Sequence, residues 1–171
     1  MGTYDPGQWA SFFTLVGSGS AALTGLVFVA ITINLRGVAE DATHRYRAIN
    51  MLTGFSSAFL VSALALMGPQ SDKTVGIEWL IVSLVAISIN TNGYVQAFRL
   101  GGSSRYALNP FRVVGGSLCY LLQIAGSLML CIDWGAGAYL AAIGLIVNFF
   151  FLISGSCLLI IGTVRSTESS R

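Results

Sequence analysis

The sequence predicts an all-α membrane protein, a compact bundle of five transmembrane helices with its N-terminus outside and its C-terminus in the cytoplasm. Composition is the first reason. The chain has 171 residues, of which 54% are hydrophobic and only 9% charged, against roughly 25% charged in soluble domains. So few polar side chains cannot clothe a water-soluble surface. The second reason is length: five apolar runs each approach or exceed the roughly 20 residues that cross a bilayer core. The third is a one-sided distribution of Lys and Arg between those runs.

The first run extends from Trp9 to Leu35 and the second from Ala48 to Gly68. The first is too long for the apolar core of a signal peptide and lacks a positive start, so a retained helix is expected. The third runs from Val75 to Phe98, the fourth from Arg112 to Ile132 and the fifth from Tyr139 to Thr163. Between them stand the turn-forming strings Gly68-Pro69, Asn109-Pro110 and Gly135-Ala136-Gly137. Short links make sequence neighbours antiparallel and adjacent, within a single domain over residues 1–171. The Ser/Thr-rich stretch after Val164 reads as a frayed tail.

Eight arginines fall on one side of these spans. Arg36, Arg45 and Arg47 lie between the first and second spans, Arg99, Arg105 and Arg112 around the third-to-fourth link, and Arg165 and Arg171 in the tail. The opposite side carries only Lys73, together with Asp5, Asp72, Glu78 and Asp133. Cytoplasmic loops hold the Lys/Arg excess, so the Arg side is expected to be cytoplasmic. Trp9, Trp79 and Trp134 fall at the opposite ends of their spans, where indole rings favour the headgroup layer.

No Asp, Glu, Lys, Arg or His lies in the middle of a span. Proton pumps, ion-coupled carriers and voltage sensors need such groups, so active transport is disfavoured. Uncharged polar and small residues instead form stripes at helical spacing. The first span aligns Gly17, Ala21 and Thr24, with Ser18, Ala22 and Gly25 beside them. The third aligns Gly76, Ser83, Asn90 and Tyr94. The fourth aligns Gly116, Cys119, Gln123 and Ser127, and the fifth Gly144, Asn148, Gly155 and Gly162. Gly17, Ala21, Gly25, Gly144, Gly155 and Gly162 make a helix-packing face, because small residues let membrane helices approach closely. The same stripes could line a pore.

Gln123 and Asn148 lie nine residues from the outer ends of their spans, so the two amides are expected to meet at one depth. Thr24, Thr53, Asn90, Ser117 and Ser154 form a deeper layer, about fifteen residues in. An amide facing lipid is costly, so all seven are expected to face inward as an intramembrane polar cluster. Asn90-Thr91-Asn92-Gly93-Tyr94 is unusually polar for a span. It reads as a helix ending early, a buried hydrogen-bond cluster, or an unwound ion-binding stretch.

Other motifs carry less. Gly17-Ser18-Gly19-Ser20-Ala21-Ala22 fits a dinucleotide string but has neither the preceding strand nor the downstream acid. His44 is the lone histidine. Cys119, Cys131 and Cys157 lack metal spacing, so no cofactor or metal is expected. His44-Arg45-Tyr46-Arg47 fits an inner surface that contacts anionic lipid. A net charge of +2 gives no field to hold nucleic acid.

One stretch resembles a known group. Trp9-Ala10-Ser11-Phe12-Phe13, then Ala21-Ala22-Leu23-Thr24-Gly25-Leu26-Val27-Phe28-Val29-Ala30, then Asn34-Leu35 resembles the first helix of small bacterial integral membrane proteins. These are common in actinobacteria and often labelled modulators of the FtsH membrane protease. The resemblance covers about a sixth of the chain and implies a bacterial inner membrane. The expected function is non-enzymatic: helix packing in a homo-oligomer, or as a subunit or modulator of a larger membrane complex. The alternative is an oligomeric channel or passive facilitator lined by Thr24, Asn90, Gln123 or Asn148. Five short spans leave little interior for a substrate path within one bundle.

Overall fold

A computed structural model describes residues 5–33, 35, 42–68, 70–99, 110–134 and 136–168. The described residues form five helices: α1 (Pro6–Ile33), α2 (Ala42–Ala65), α3 (Asp72–Arg99), α4 (Pro110–Cys131) and α5 (Gly137–Glu168). All five are long and apolar enough to cross a membrane. Most outrun the apolar stretches that mark them, because a helix can continue after its side chains turn polar. α2, for example, begins at Ala42 and carries the Arg45-Tyr46-Arg47 string within its first turns.

Local chemistry sets the ends. Asp5 caps α1, accepting the Gly7 amide at 3.0 Å, and Ser71 caps α3, accepting the Thr74 amide at 3.2 Å. Gly68 closes the turn after α2 with φ +107°, a conformation glycine adopts freely, and Pro69 follows it. The Gly135-Ala136-Gly137 string is not all turn: Gly137 is already the first residue of α5.

α2, α3, α4 and α5 close a ring in which each packs on its sequence neighbour and α5 returns to α2. α1 lies outside the ring, mainly on α2. Only 17% of its span is buried, against 50% for α2. Phe13 ties α1 to the interior by reaching the Trp79 ring on α3 at 5.3 Å, and Trp9 stacks edge-on against Tyr139 of α5 at 4.9 Å.

The half of the bundle away from the arginine loops is solid. Phe13, Val61, Val75, Trp79, Leu130 and Leu145 are all buried there in one cluster. Trp79 therefore departs from the interfacial place expected of it. It is 1% exposed and points into the core, whereas Trp134 is 63% exposed. Two turns into α3, an indole aimed at the bundle axis meets protein rather than headgroups.

Glycines draw the helices together here. A methyl on Gly126 of α4 would stand 2.6 Å from the Gly137 carbonyl oxygen and 2.6 Å from the Ala141 nitrogen of α5. One on Gly76 of α3 would lie 2.8 Å from the Ser127 carbonyl oxygen of α4. Gly144 of the expected packing face plays the same part, 3.0 Å from the Cys119 carbonyl oxygen by that measure. Backbone approaches backbone at these crossings, which only small residues allow.

Candidate functional site

The other half of the ring is hollow. A cavity of about 90 Å³ lies on its axis, and all four ring helices contribute to its walls. Arg47 and Asn50 come from α2, Asn90 and Tyr94 from α3, Tyr120 from α4 and Asn148 from α5. A helix rises 1.5 Å per residue. Asn148 therefore sits about 16 Å from the Gly137 end of α5. Arg47 sits about two turns further towards the opposite end of the bundle. A cavity of this size holds several water molecules, so the bundle has more interior than its five spans suggest.

Glycines shape this half as well, but they meet side chains rather than backbone. Gly93 accommodates Asn50, whose Oδ1 would lie 2.5 Å from a methyl there. Gly116 faces the Tyr94 hydroxyl, and Gly155 is buried against the cavity. Asn148 is 2% exposed, yet its Nδ2 has no protein hydrogen-bond partner, and neither has the buried Oδ1 of Asn50. Buried polar atoms are normally paired, so these two atoms mark the cavity as a place built to meet something polar.

The seven residues expected to cluster divide. Asn90 and Asn148 line the cavity. Gln123 lies buried one layer outward, accepting a long bond from the Ser83 hydroxyl at 3.5 Å. Gln123 and Asn148 do not clamp each other, because Nε2 of the one and Nδ2 of the other are both without partners. Depth alone did not fix their direction around the helix axes.

The hydroxyl residues leave the cluster. Thr24 donates to the Ser20 carbonyl at 2.7 Å and Ser154 to the Phe150 carbonyl at 2.8 Å. A hydroxyl satisfied by its own helix need not face inward. Thr53 lines a lateral apolar groove between α2 and α3, and Ser117 is half-buried outside the cavity lining. The polar string on α3 is neither unwound nor an early helix end. The helix runs unbroken to Arg99, with Asn90 and Gly93 inward and Thr91 and Asn92 exposed.

On α1, Gly17 packs on α2, 3.2 Å from the Ser62 Cβ by the same methyl measure. Ala21 and Gly25 instead face away from the bundle, and nothing lies within 4 Å of Gly25. They belong to a wider exposed face that includes Ser11, Thr14, Ser18 and Ala22. The surroundings of Gly162 lie outside the described residues, as do Arg36, Arg105 and the Arg112 side chain. Arg99 and Arg45 are exposed, and Arg45 stacks over Tyr46 with 5.4 Å to the ring centroid.

Reasoning from sequence missed Arg47, Asn50 and Tyr120 as cavity residues. Asn50 follows Arg47 by one turn, which places both on one face of α2 near its start. That spacing was the available signal. Compared with known proteins, the chain matches no family model, no curated protein and no solved structure.

Proposed function

We propose that this protein works by helix packing in the cytoplasmic membrane of a bacterium, as a homo-oligomer or as a subunit of a larger membrane complex, with no catalytic role. One observation carries this. Through its outer half α1 presents Ser11, Thr14, Ser18, Ala21, Ala22 and Gly25 away from the bundle, with Leu15 the large apolar side chain among them. A face left to lipid is made of large apolar side chains, as on the inner half of the same helix at Leu26, Phe28 and Val29. Small residues in that position suit a second helix, because van der Waals contact between close backbones drives association where the hydrophobic effect is absent.

A pore lined by Asn90, Gln123 and Asn148 is the less favoured alternative. Those side chains turn into the bundle rather than towards a neighbour, and the Phe13–Trp79–Leu130–Leu145 layer fills the outer half of the same bundle. The likeness of the first helix to proteins labelled FtsH modulators makes a membrane protease the first heterologous partner to test.

Ala21→Leu and Gly25→Leu test the packing reading cleanly, since both positions are exposed and no described atom lies within 4 Å of a methyl on Gly25. The expected result is a lower copy number, or loss of a co-purifying partner, by native mass spectrometry after gentle extraction, with helicity unchanged. Wild-type protein that is monomeric and unaccompanied under the same extraction would overturn it. So would conductance in liposomes that Gln123→Leu abolishes.

A further inference from the structure

We infer that the axial cavity is a binding site for a small neutral molecule that carries a carbonyl beside an N–H group, a primary amide or a urea. The site belongs to the α2–α5 ring and is independent of how α1 is used.

Two unmatched atoms are the first argument. Asn148 is 2% exposed, and its Nδ2 has no hydrogen-bond partner. The Tyr120 hydroxyl approaches Asn148, but not in a geometry that satisfies this donor. Asn50 lines the same cavity, and its buried Oδ1 is unmatched as well. The first atom donates and the second accepts. A primary amide or a urea answers both, since its carbonyl accepts and its N–H donates.

Charge is the second argument. Arg47 is the one charged residue among those lining the cavity, and it already has a partner within the protein. An anion has no use for the Asn50 oxygen, and a cation has none for the Asn148 N–H. Either ion would also have to shed water without a free countercharge to replace it.

Volume and walls are the third argument. A water needs about 10–15 Å³ of such space, so about 90 Å³ exceeds what wetting two atoms requires. Met51, Phe151 and Leu152 offer water no hydrogen bonds of the usual strength. Water against them is poorly held, and displacing it favours binding. Tyr94, Tyr120 and Phe151 add aromatic surface suited to a planar amide. A sugar or a nucleotide is too large for the space.

The test uses the full chain in nanodiscs of phosphatidylcholine and saturation-transfer NMR, which reads weak binding, with empty discs as the blank. Acetamide is the probe and urea its competitor. Acetone and acetate have the same size as acetamide, but acetone lacks the N–H, and acetate lacks it and adds a charge. The expected result is a saturable acetamide signal that urea displaces, with acetone and acetate at least about fivefold weaker, as an unmatched buried polar atom costs. Asn50→Leu and Asn148→Leu should each weaken acetamide by a similar factor. Asn92→Ala, exposed at the same end of α3, should leave it unchanged, and circular dichroism checks that each variant is folded. No saturable signal from acetamide or urea overturns the site, as does a signal that survives both leucine substitutions in folded protein. Acetate binding as tightly as acetamide overturns it too, because both asparagines would then be presenting their NH₂ groups to an anion. The comparison of the three probes on the unaltered chain decides the matter even where a leucine variant does not fold.

Discussion

Asp133 ends α4 with φ 57°, a left-handed conformation usually left to glycine. Around it the Trp134 amide donates to the Met129 carbonyl at 2.9 Å and the Asp133 amide to the Leu130 carbonyl at 3.1 Å. That pair of bonds is the Schellman closure of a helix C-terminus. Asp tolerates the conformation better than most side chains but still gives up about 1 kcal/mol relative to glycine. Its ion pair with Lys73, at 3.5 Å and well exposed, offsets little of that. Asp133→Gly should therefore raise stability by up to about 1 kcal/mol, and Asp133→Val lower it by roughly 1–2 kcal/mol. Unfolding in mixed SDS micelles measures both, and a stabilising valine would show that the cap is not left-handed. The sequence flagged the glycines at 135 and 137 but not this residue, because an aspartate carries no mark of its φ.

α3 shows what a helix yields to sequence reasoning. Its extent was legible from apolar length, and its inward face from the spacing of Gly76, Ser83 and Asn90, all buried. Asn90-Thr91-Asn92-Gly93-Tyr94 misled because polarity was read without depth. By Asn92 the helix has risen about 30 Å from Asp72 and nears its end at Arg99, so an exposed amide there needs no break in the backbone. Partner choice was harder still. Matched depth paired Gln123 with Asn148, whereas the structure gives it Ser83, and only the angular position of each side chain separates the two. A double-mutant cycle on Ser83→Ala and Gln123→Leu should give a coupling of about 0.5 kcal/mol, as such bonds do in membranes. Gln123→Leu with Asn148→Leu should be additive within about 0.3–0.5 kcal/mol. The reverse pattern would restore the clamp between the two amides.

For the whole molecule, composition and run length sufficed for five helices, but not for their arrangement. The small-residue stripes of α1, α4 and α5 look alike in sequence. Yet Gly144 meets a backbone, Gly155 meets a cavity and Gly25 meets nothing within the chain. Contacts between segments distant in sequence decide this, and periodicity along one segment does not record them. The proposed orientation rests on the eight arginines against Lys73. In a cysteine-free background, a cysteine at Ser71 should react with an impermeant thiol reagent applied outside intact cells. One at Ser103 should react only after the cells are opened. Equal labelling of both positions would reverse or abolish the assignment.

The glycine crossings have a mechanical consequence. Near the α2–α3 and α4–α5 turns, α3, α4 and α5 touch through main-chain atoms at Gly76, Gly126 and Gly137, where no soft side chain can yield. At the opposite end α4 meets α3 and α5 through the tips of Tyr94 and Phe151, and α3 meets α2 through Asn50, side chains that can swing. The bundle is thus built like a clothes-peg, stiff at one end and compliant at the other. Widening the cavity means splaying the ends around Asn50 and Gly93 about a fixed pivot. Amide hydrogens near Gly126 should accordingly exchange far more slowly than those near Gly93.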